Sequence, residues 1–518
     1  MSILSRARVY LAPALALGLG SLAVGQQARW PYFVDYEVSL LPWLVGRGWV
    51  LYRDMVDQHT PLLPILLAGL GAGDPGLGLH LVILGLAALT LGLTYRVAAA
   101  AAGPGAGVVA LSLTAIWAVA FEPTHLWYDG VLAPVYLAVL AILGGPGGPA
   151  ATRPPLPGWR RAGIGGLLAV GMLLKQPAVL TVPFLLVAIA LQTPDRRDRG
   201  VGALLAGLAA PLVLAAGLLA LAGAAGAAWY WTVVYSLTSD YAQTAGRPLP
   251  VADQALLLAF YAPLAAGVLG AMGRGLLAPR LVGGAWPPRI AYLGVVLAAS
   301  VPAWPRYGRY HFQAAVPLLA IAAVLAATAG WRVVTGREFR VARPGRRVVA
   351  GLGVALGAVL LGWYTSTGVG EYLADSALIS QLGGPAAPYS GSIAPLRAWV
   401  DRHAPPGAPL VTAGLDALLY RVLEREPPRP WAPELPWIRA DRDTDAQVWR
   451  GITLAAPPVA LVESEGWAWA AAPPPGLTSG AARLRAGYHE AARFTLAAYP
   501  YTAPFTVVGL LRNDGPAP

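Results

Sequence analysis

Residues 201–222 read VGALLAGLAAPLVLAAGLLALA, twenty-two consecutive positions without a charged, amide or hydroxyl-bearing side chain. As a helix rising 1.5 Å per residue, such a run reaches across a hydrocarbon core about 30 Å thick. Working outward, apolar runs of roughly 17 to 25 residues, the length a membrane span needs, recur from residue 9 to residue 365. The whole chain of 518 residues is 56% hydrophobic and only 12% charged, with a mean hydropathy of +0.56. From residue 371 onward it changes character, turning Pro-rich and charged with mixed apolar and polar periods, as a water-soluble domain does. The expectation is an all-α polytopic bundle over residues 1–370 and a small extramembrane α/β domain over residues 371–518.

The formal charge of +11 raises a nucleic-acid partner only to exclude it. Residues 1–370 hold 25 basic and 12 acidic residues, whereas residues 371–518 hold 12 and 14. The excess belongs to the apolar half, where short basic loops follow from the positive-inside bias of membrane insertion. There are no cysteines, which excludes disulfides, iron–sulfur clusters and thiolate metal sites.

The candidate spans are 9–25, 76–97, 104–121, 126–144, 162–174, 176–192, 201–222, 255–272, 290–304, 312–330 and 348–365. The first, preceded by Arg6 and Arg8, reads as an uncleaved helix rather than a signal peptide, because ten more spans follow it. With the N-terminus cytoplasmic, the loops carrying Arg96, Arg153 with Arg160 and Arg161, Arg196 to Arg199, Arg274 to Arg289, and Arg332 to Arg347 all fall inside. Eleven crossings then put residues 371–518 outside. Residues 61–71 are apolar but too short to span, and two prolines mark them as a juxtamembrane or re-entrant helix. Loop 26–75 is therefore external, and its length suggests a functional role.

The first loop carries Trp30-Pro-Tyr-Phe-Val-Asp35-Tyr-Glu37, Gly46-Arg-Gly48 and Leu51-Tyr52-Arg53-Asp54-Met-Val-Asp57-Gln-His59-Thr-Pro61-Leu62. Asp35 and Glu37, spaced i, i+2, share a face in extended chain and diverge on a helix. A carboxylate held there can deprotonate an acceptor hydroxyl; the bland alternative is a solvated loop with structural ion pairs. The second external loop, Phe121-Glu122-Pro-Thr-His125-Leu-Trp-Tyr128-Asp129, places Glu122 and Asp129 near the lipid boundary, where ionisable groups are costly unless paired or functional. Helix capping is the plainer role for Asp129.

Lys175, the sole lysine among 36 arginines, stands in Leu174-Lys-Gln-Pro177 between two short spans. There it either snorkels to the interface or holds an anion. The loop Trp304-Pro-Arg306-Tyr-Gly-Arg309-Tyr-His311-Phe312 fits either an interfacial aromatic belt or a phosphate held by guanidinium forks. Loop 223–252, with Trp229, Trp231, Asp240 and Tyr241, suits either sugar stacking or the same belt.

The order of these features resembles the GT-C superfamily of membrane glycosyltransferases. The acid pair, Gly-x-Gly, Tyr52-Arg53-Asp54, the His59-x-Pro61-Leu62 lead-in to a short helix, the Lys175 turn and the Arg309-Tyr-His311 loop look most like its bacterial protein O-mannosyltransferase and aminoarabinose transferase branch. The resemblance covers residues 9–330 and, more loosely, the C-terminal domain. It implies a polyprenyl-phosphate-linked sugar donor, an external active site and inverting transfer to a hydroxyl on a lipid, glycan or protein. Asp35 matches the family's catalytic acid, with Glu37 as the other candidate because Tyr36 intervenes. Lys175, Arg306, Arg309, His311, His59 and Arg53 are assigned to the donor phosphate. His59 replaces a lysine and so acts as a cation only when protonated. Asp129, Glu122, Tyr128 and Asp240 are assigned to the substrate pocket. No cofactor is implied with certainty, and a divalent ion stays open because the acids show no recognisable ligand spacing.

Two other readings remain at this level: a transporter or lipid flippase, since intramembrane charges and helix breaks also mark transport paths, and an envelope scaffold. No inverted repeat is visible, and the polar residues gather in external loops. In the C-terminal domain, strands are expected at 409–412, 459–463 and 505–511, with a helix over 393–403. The domain's expected role is to shape the acceptor entrance. Reporter fusions or protease protection should place residue 340 in the bacterial cytoplasm and residue 518 on the external face; both on one side would refute this topology.

Overall fold

The computed structural model describes residues 3–28, 36–71, 77–121, 125–144, 156–192, 200–238, 286–303, 308–334, 392–414, 417–463, 480–497 and 504–513. The expected spans 255–272 and 348–365 lie outside them. In chain order the helices are α1 (Ile3–Gln27), α2 (Tyr36–Gly46), α3 (Leu62–Gly69), α4 (Leu77–Ala102), α5 (Pro104–Ala118), α6 (Tyr128–Leu143), α7 (Gly158–Leu174), α8 (Thr181–Gln192), α9 (Gly200–Leu221) and α10 (Ala225–Trp229). They continue with α11 (Trp286–Ser300), α12 (Ala315–Val334), α13 (Ile393–His403), α14 (Leu418–Val422), α15 (Pro436–Arg439), α16 (Arg442–Ala455) and α17 (Gly480–Gly487). Four strands, β1 (Leu410–Ala413), β2 (Val459–Glu463), β3 (Tyr488–Leu496) and β4 (Phe505–Arg512), complete a mostly helical chain with one small sheet.

The chain forms two compact units. The first comprises Met1–Trp30, Ile83–Leu214 and Arg247–Ala374; the second comprises Pro31–Val82, Ala215–Gly246 and Asp375–Pro518. In the first unit α1 packs on α5, α5 on α12, α6 on α7, and α8 on α11. Breaks between helices are set by local chemistry. Gly103 adopts φ +98°, which glycine tolerates without strain, and Pro104 then opens α5 at the one helical turn where a missing N–H costs nothing. The Tyr292 hydroxyl, fully buried in α11, donates to the Leu318 carbonyl of α12 and so satisfies a phenol that would otherwise be stranded among apolar side chains.

Among the described residues, Leu77–Ala102 and Val201–Leu221 are long and apolar enough to cross a membrane. Along α9, Val213, Leu214, Leu218 and Leu221 are exposed, the reverse of a helix buried in a water-soluble core. Small residues decide how α9 meets α7. A Cβ at Gly165 would lie 2.1 Å from the Leu204 carbonyl oxygen, and one at Gly207 would lie 2.0 Å from that of Ala162. The two backbones touch because neither position carries a side chain.

The second unit has a continuous apolar core. Leu40, Leu41 and Leu44 of α2, and Trp49, Leu51 and Met55 of the following loop, pack with Trp231, Tyr235 and the inner faces of the sheet and its helices. Backbone bonds join the same segments: Val56 N–H donates to Trp431 O, and Trp431 N–H donates to Asp54 O, each at 2.9 Å. The sheet order is β1-β2-β4-β3, with β1 parallel to β2 and the remaining pairs antiparallel. All of β1 is buried, as parallel strands generally are. Trp399 of α13 lies flat enough on β4 that a Cβ at Gly509 would come within 2.7 Å of its ring. The Tyr420 hydroxyl accepts the Thr412 N–H at 2.9 Å, and burial pushes that phenol up to about 12.

The C-terminal expectations at 393–403, 459–463 and 505–511 fall on α13, β2 and β4, and 409–412 is offset by one residue from β1. The sequence reading missed β3, whose exposed positions carry His489, Glu490 and Arg493. An edge strand open to water need not show an apolar face, and a bulge at Glu490/Ala492 breaks the alternation. Replacing Gly207 by alanine should lower the thermal stability of the purified protein by the equivalent of about 1–3 kcal/mol. Gly217→Ala, in the same helix with open space around it, should leave stability unchanged or raise it.

Candidate functional site

Two clusters of ionisable side chains are built where helices end. In the first unit, Pro177 bars continuation of α7, so the chain extends at Lys175 (φ −157°, ψ 133°) and resumes as a tight 3-10 turn over Gln176–Leu180. That break releases Lys175 from the helical cylinder. Asp129 stands in the first turn of α6, where the helix dipole favours a carboxylate. His311 comes from the 3-10 turn Arg309–Phe312 that leads into α12.

These three side chains meet. Lys175 Nζ donates to Asp129 Oδ2 at 2.5 Å, and His311 Nδ1 lies 3.0 Å from the same oxygen. Asp129 is wholly buried, and Lys175 and His311 are 6% and 7% exposed. An ionised carboxylate only accepts, so His311 donates from Nδ1, which assigns its neutral tautomer. Its contact with Lys175 Nζ at 3.3 Å is then proximity rather than a further bond. The group is neutral with His311 unprotonated and +1 with it protonated. Aromatic rings close around it: Trp127 stands 4.9 Å from Tyr310, 5.5 Å from His125 and 6.0 Å from His311. Tyr128, the neighbour of Asp129, is fully buried and meets Trp127 edge-on at 5.6 Å.

In the second unit the loop after α2 is tightly wound. Gly48 has φ +83° and Tyr52 has φ +68°, the latter a left-handed conformation that costs a tyrosine free energy. Hydrogen bonds hold Tyr52 there at both ends, its N–H to Met55 O at 2.7 Å and its hydroxyl to His59 O at 2.6 Å. Burial, and secondarily the charge of Asp57, pushes that hydroxyl well up, so it stays a donor. Arg53 forks onto Asp54 through two bonds of 2.9 Å. Partial burial pushes the Asp54 carboxyl up, but the Arg53 fork and the Val50 N–H outweigh it and hold the group below the usual carboxylate range. The stability this contributes is present at neutral pH and is lost as pH falls through the depressed value. Asp57 accepts both the His59 N–H and its Nδ1–H at 3.0 Å, an Asx turn that presets the imidazole.

Of the residues singled out from sequence, Asp129, Lys175 and His311 are brought into one cluster, with Tyr128 alongside. Glu37, Arg53 and His59 belong to the second unit. Asp35, Glu122, Asp240 and Arg306 lie outside the described residues, as does the Arg309 side chain. Of the two conformations considered for the acid pair, Glu37 takes the helical one, buried in the first turn of α2. An acid suits a helix N-terminus, and the apolar run behind it propagates the helix. The capping role considered for Asp129 also gives way, since its carboxylate is spent on Lys175 and His311. Sequence reasoning did not single out Asp57, although its i, i+2 spacing to His59 is an Asx-turn signal. It also gave Trp127 and Tyr310 no part. Among the described residues no group of three or more His, Asp or Glu gathers as metal ligands.

Asp129→Asn would leave Lys175 as a buried charge without its counter-ion, at a cost of about 3–5 kcal/mol. It should sharply lower the melting temperature of the purified protein, and adding Lys175→Met should recover most of the loss. A double variant no better than the single one would show that the pair is not the unit of stability.

No family model matches the sequence, and no curated protein matches it either. Solved structures do match. ArnT from Cupriavidus metallidurans bound to undecaprenyl phosphate aligns over 97% of both chains with TM-score 0.52 at 15% identity. The archaeal oligosaccharyltransferase AglB from Archaeoglobus fulgidus, in complex with an inhibitory peptide and a dolichol phosphate, aligns over 88% of this chain and 70% of its own with TM-score 0.52 at 13% identity. At such identities the likeness is one of fold alone: the chain shares the fold of these two solved structures.

Proposed function

We propose that this chain is a membrane glycosyltransferase that moves a sugar from a polyprenyl-phosphate carrier to an acceptor hydroxyl, with inversion, at the external face of a bacterial cytoplasmic membrane. The observation that carries the reading is the alignment, over 97% of both chains, with a protein bound to undecaprenyl phosphate. In this reading residues 1–370 supply eleven spans and the catalytic groups, and residues 371–518 form the external domain that shapes the acceptor entrance.

The reaction needs a base for the incoming hydroxyl and positive charge for the phosphate that departs. Asp35, backed by Glu37, takes the acceptor proton as the acceptor oxygen bonds to the anomeric carbon. The bond from that carbon to the phosphate oxygen breaks on the opposite face, and polyprenyl phosphate leaves as an anion needing little acid assistance. Lys175, Arg306, Arg309 and His311 hold the phosphate, with His59 and Arg53 as further donors, while Glu122, Tyr128, Asp129 and Asp240 line the substrate pocket. The tight Asp129–Lys175 pair refines this assignment. Lys175 is already neutralised by Asp129, so a phosphate gains its full attraction only by sharing the ammonium or by drawing a proton onto His311.

The test is transfer of radiolabelled sugar from polyprenyl-phosphate-linked donors by the purified protein in a bilayer. Asp35→Asn keeps side-chain shape and removes basicity, so it should cut transfer by about 10²- to 10⁴-fold with donor binding nearly unchanged. If Asp35→Asn stays active while Glu37→Gln is dead, the base lies two residues on; if neither matters, the first-loop mechanism is wrong.

A further inference from the structure

The first unit also contains a cavity of about 90 Å³ between α1, α4, α5, α6 and α12. Its polar lining is Gln27, Thr90, Thr114, His125 and Gln313, and the rest is apolar, including Leu86, Phe121 and Val316. No lysine, arginine, aspartate or glutamate is among its lining residues. A phosphate or other anion would therefore meet no fixed counter-charge there.

The lining has a hydrogen-bonding polarity. Thr114 Oγ1 donates to Ala110 O at 2.8 Å, and Gln313 Nε2 donates to His125 O at 2.9 Å, so both donors are committed to backbone carbonyls. Gln27 is 5% exposed, yet among the described residues its amide oxygen accepts no hydrogen bond. A buried acceptor left this way has lost its water without replacement, a penalty that a ligand O–H or N–H would remove. The volume limits what can bring that donor. At about 90 Å³ it is smaller than an engineered cavity of about 150 Å³ that binds benzene. A hydroxyl on a short hydrocarbon end fits. One wall, α4, is long and apolar enough to cross a membrane, and in such surroundings the hydroxyl on offer is a lipid's.

We propose that this cavity binds the hydroxyl-bearing end of a neutral lipid, with Gln27 Oε1 accepting from the hydroxyl; its use as an acceptor site rests on the glycosyltransferase reading. Retention of three lipids by the purified protein, measured by native mass spectrometry, tests it: dioleoylglycerol, its anionic counterpart dioleoylphosphatidic acid, and undecaprenyl phosphate.

The wild-type protein should retain dioleoylglycerol in preference to phosphatidic acid. Gln27→Leu, which keeps volume and removes the acceptor, should reduce dioleoylglycerol retention about tenfold without lowering thermal stability. Ala118→Leu, which adds bulk to the cavity wall, should reduce it likewise. Dioleoylglycerol held no better than phosphatidic acid, or held equally by both variants, would overturn the proposal and leave a cavity that holds water. Undecaprenyl phosphate separates the two readings. Its retention without dioleoylglycerol retention rejects this site and leaves the donor class standing. Gln27-dependent dioleoylglycerol retention without it supports the site and counts against the polyprenyl-phosphate donor.

Discussion

An ionised group taken out of water has to find its counter-charge within reach, and in the first unit that requirement organises the site. Asp129 has no exposed surface and Lys175 almost none, so each is tolerable only because the other lies at hydrogen-bond distance. Meeting the requirement takes three elements at once. The α7 helix must end at Lys175, α6 must begin just before Asp129, and the turn ahead of α12 must deliver His311. Pro177 enforces the first of these. The close approach of α7 to α9 through Gly165 and Gly207 fixes the helix whose end carries Lys175. The cluster is self-neutralised at rest, and His311 adds a proton position beside the ion pair.

The second unit solves a different problem, that of holding an irregular loop rigid. The segment after α2 contains a left-handed tyrosine and an Asx turn, both costly or marginal in isolation. They persist because Leu51, Tyr52 and Met55 are buried in the same core as the C-terminal sheet, and because Trp431 exchanges backbone hydrogen bonds with Asp54 and Val56. Packing energy from the core thus maintains local strain at a place where Arg53, Asp57 and His59 are gathered. The C-terminal residues after 392 therefore have a structural stake in the conformation of a loop more than 300 positions earlier in the chain.

What could be read from sequence followed from periodicity and punctuation, which act over a few residues. The long apolar runs, the basic loops between them, the Pro-ended turn at Lys175 and the α/β character after residue 371 are of that kind. Nine of the candidate spans fall on described helices, because a run such as 201–222 has no alternative way to satisfy its backbone in an apolar medium. The strand Tyr488–Leu496 escaped notice because an exposed edge strand is specified by its neighbour β4 rather than by its own pattern. The conformation at Glu37 stayed open because i, i+2 spacing is informative only once the local conformation is known.

Tertiary structure alone decided who pairs with whom. Lys175 and His311 each stood out in the sequence as potential anion ligands, and Asp129 as a boundary acid with a capping role, but nothing within a few residues of any of them names the others. They lie 46 and 182 positions from Asp129, and their meeting depends on how α6, α7 and α12 pack. The same holds for Asp57, whose value lies in the imidazole it presets, and for Gln27, an unremarkable amide at the end of α1 until neighbouring helices enclose it. Sequence by itself determined an apolar helical chain with a polar C-terminal domain, since hydrophobicity and turn chemistry are local quantities. The pairing of charges and the shape of the cavity were left to the fold, because burial is a property of the assembled neighbours and not of the residue buried.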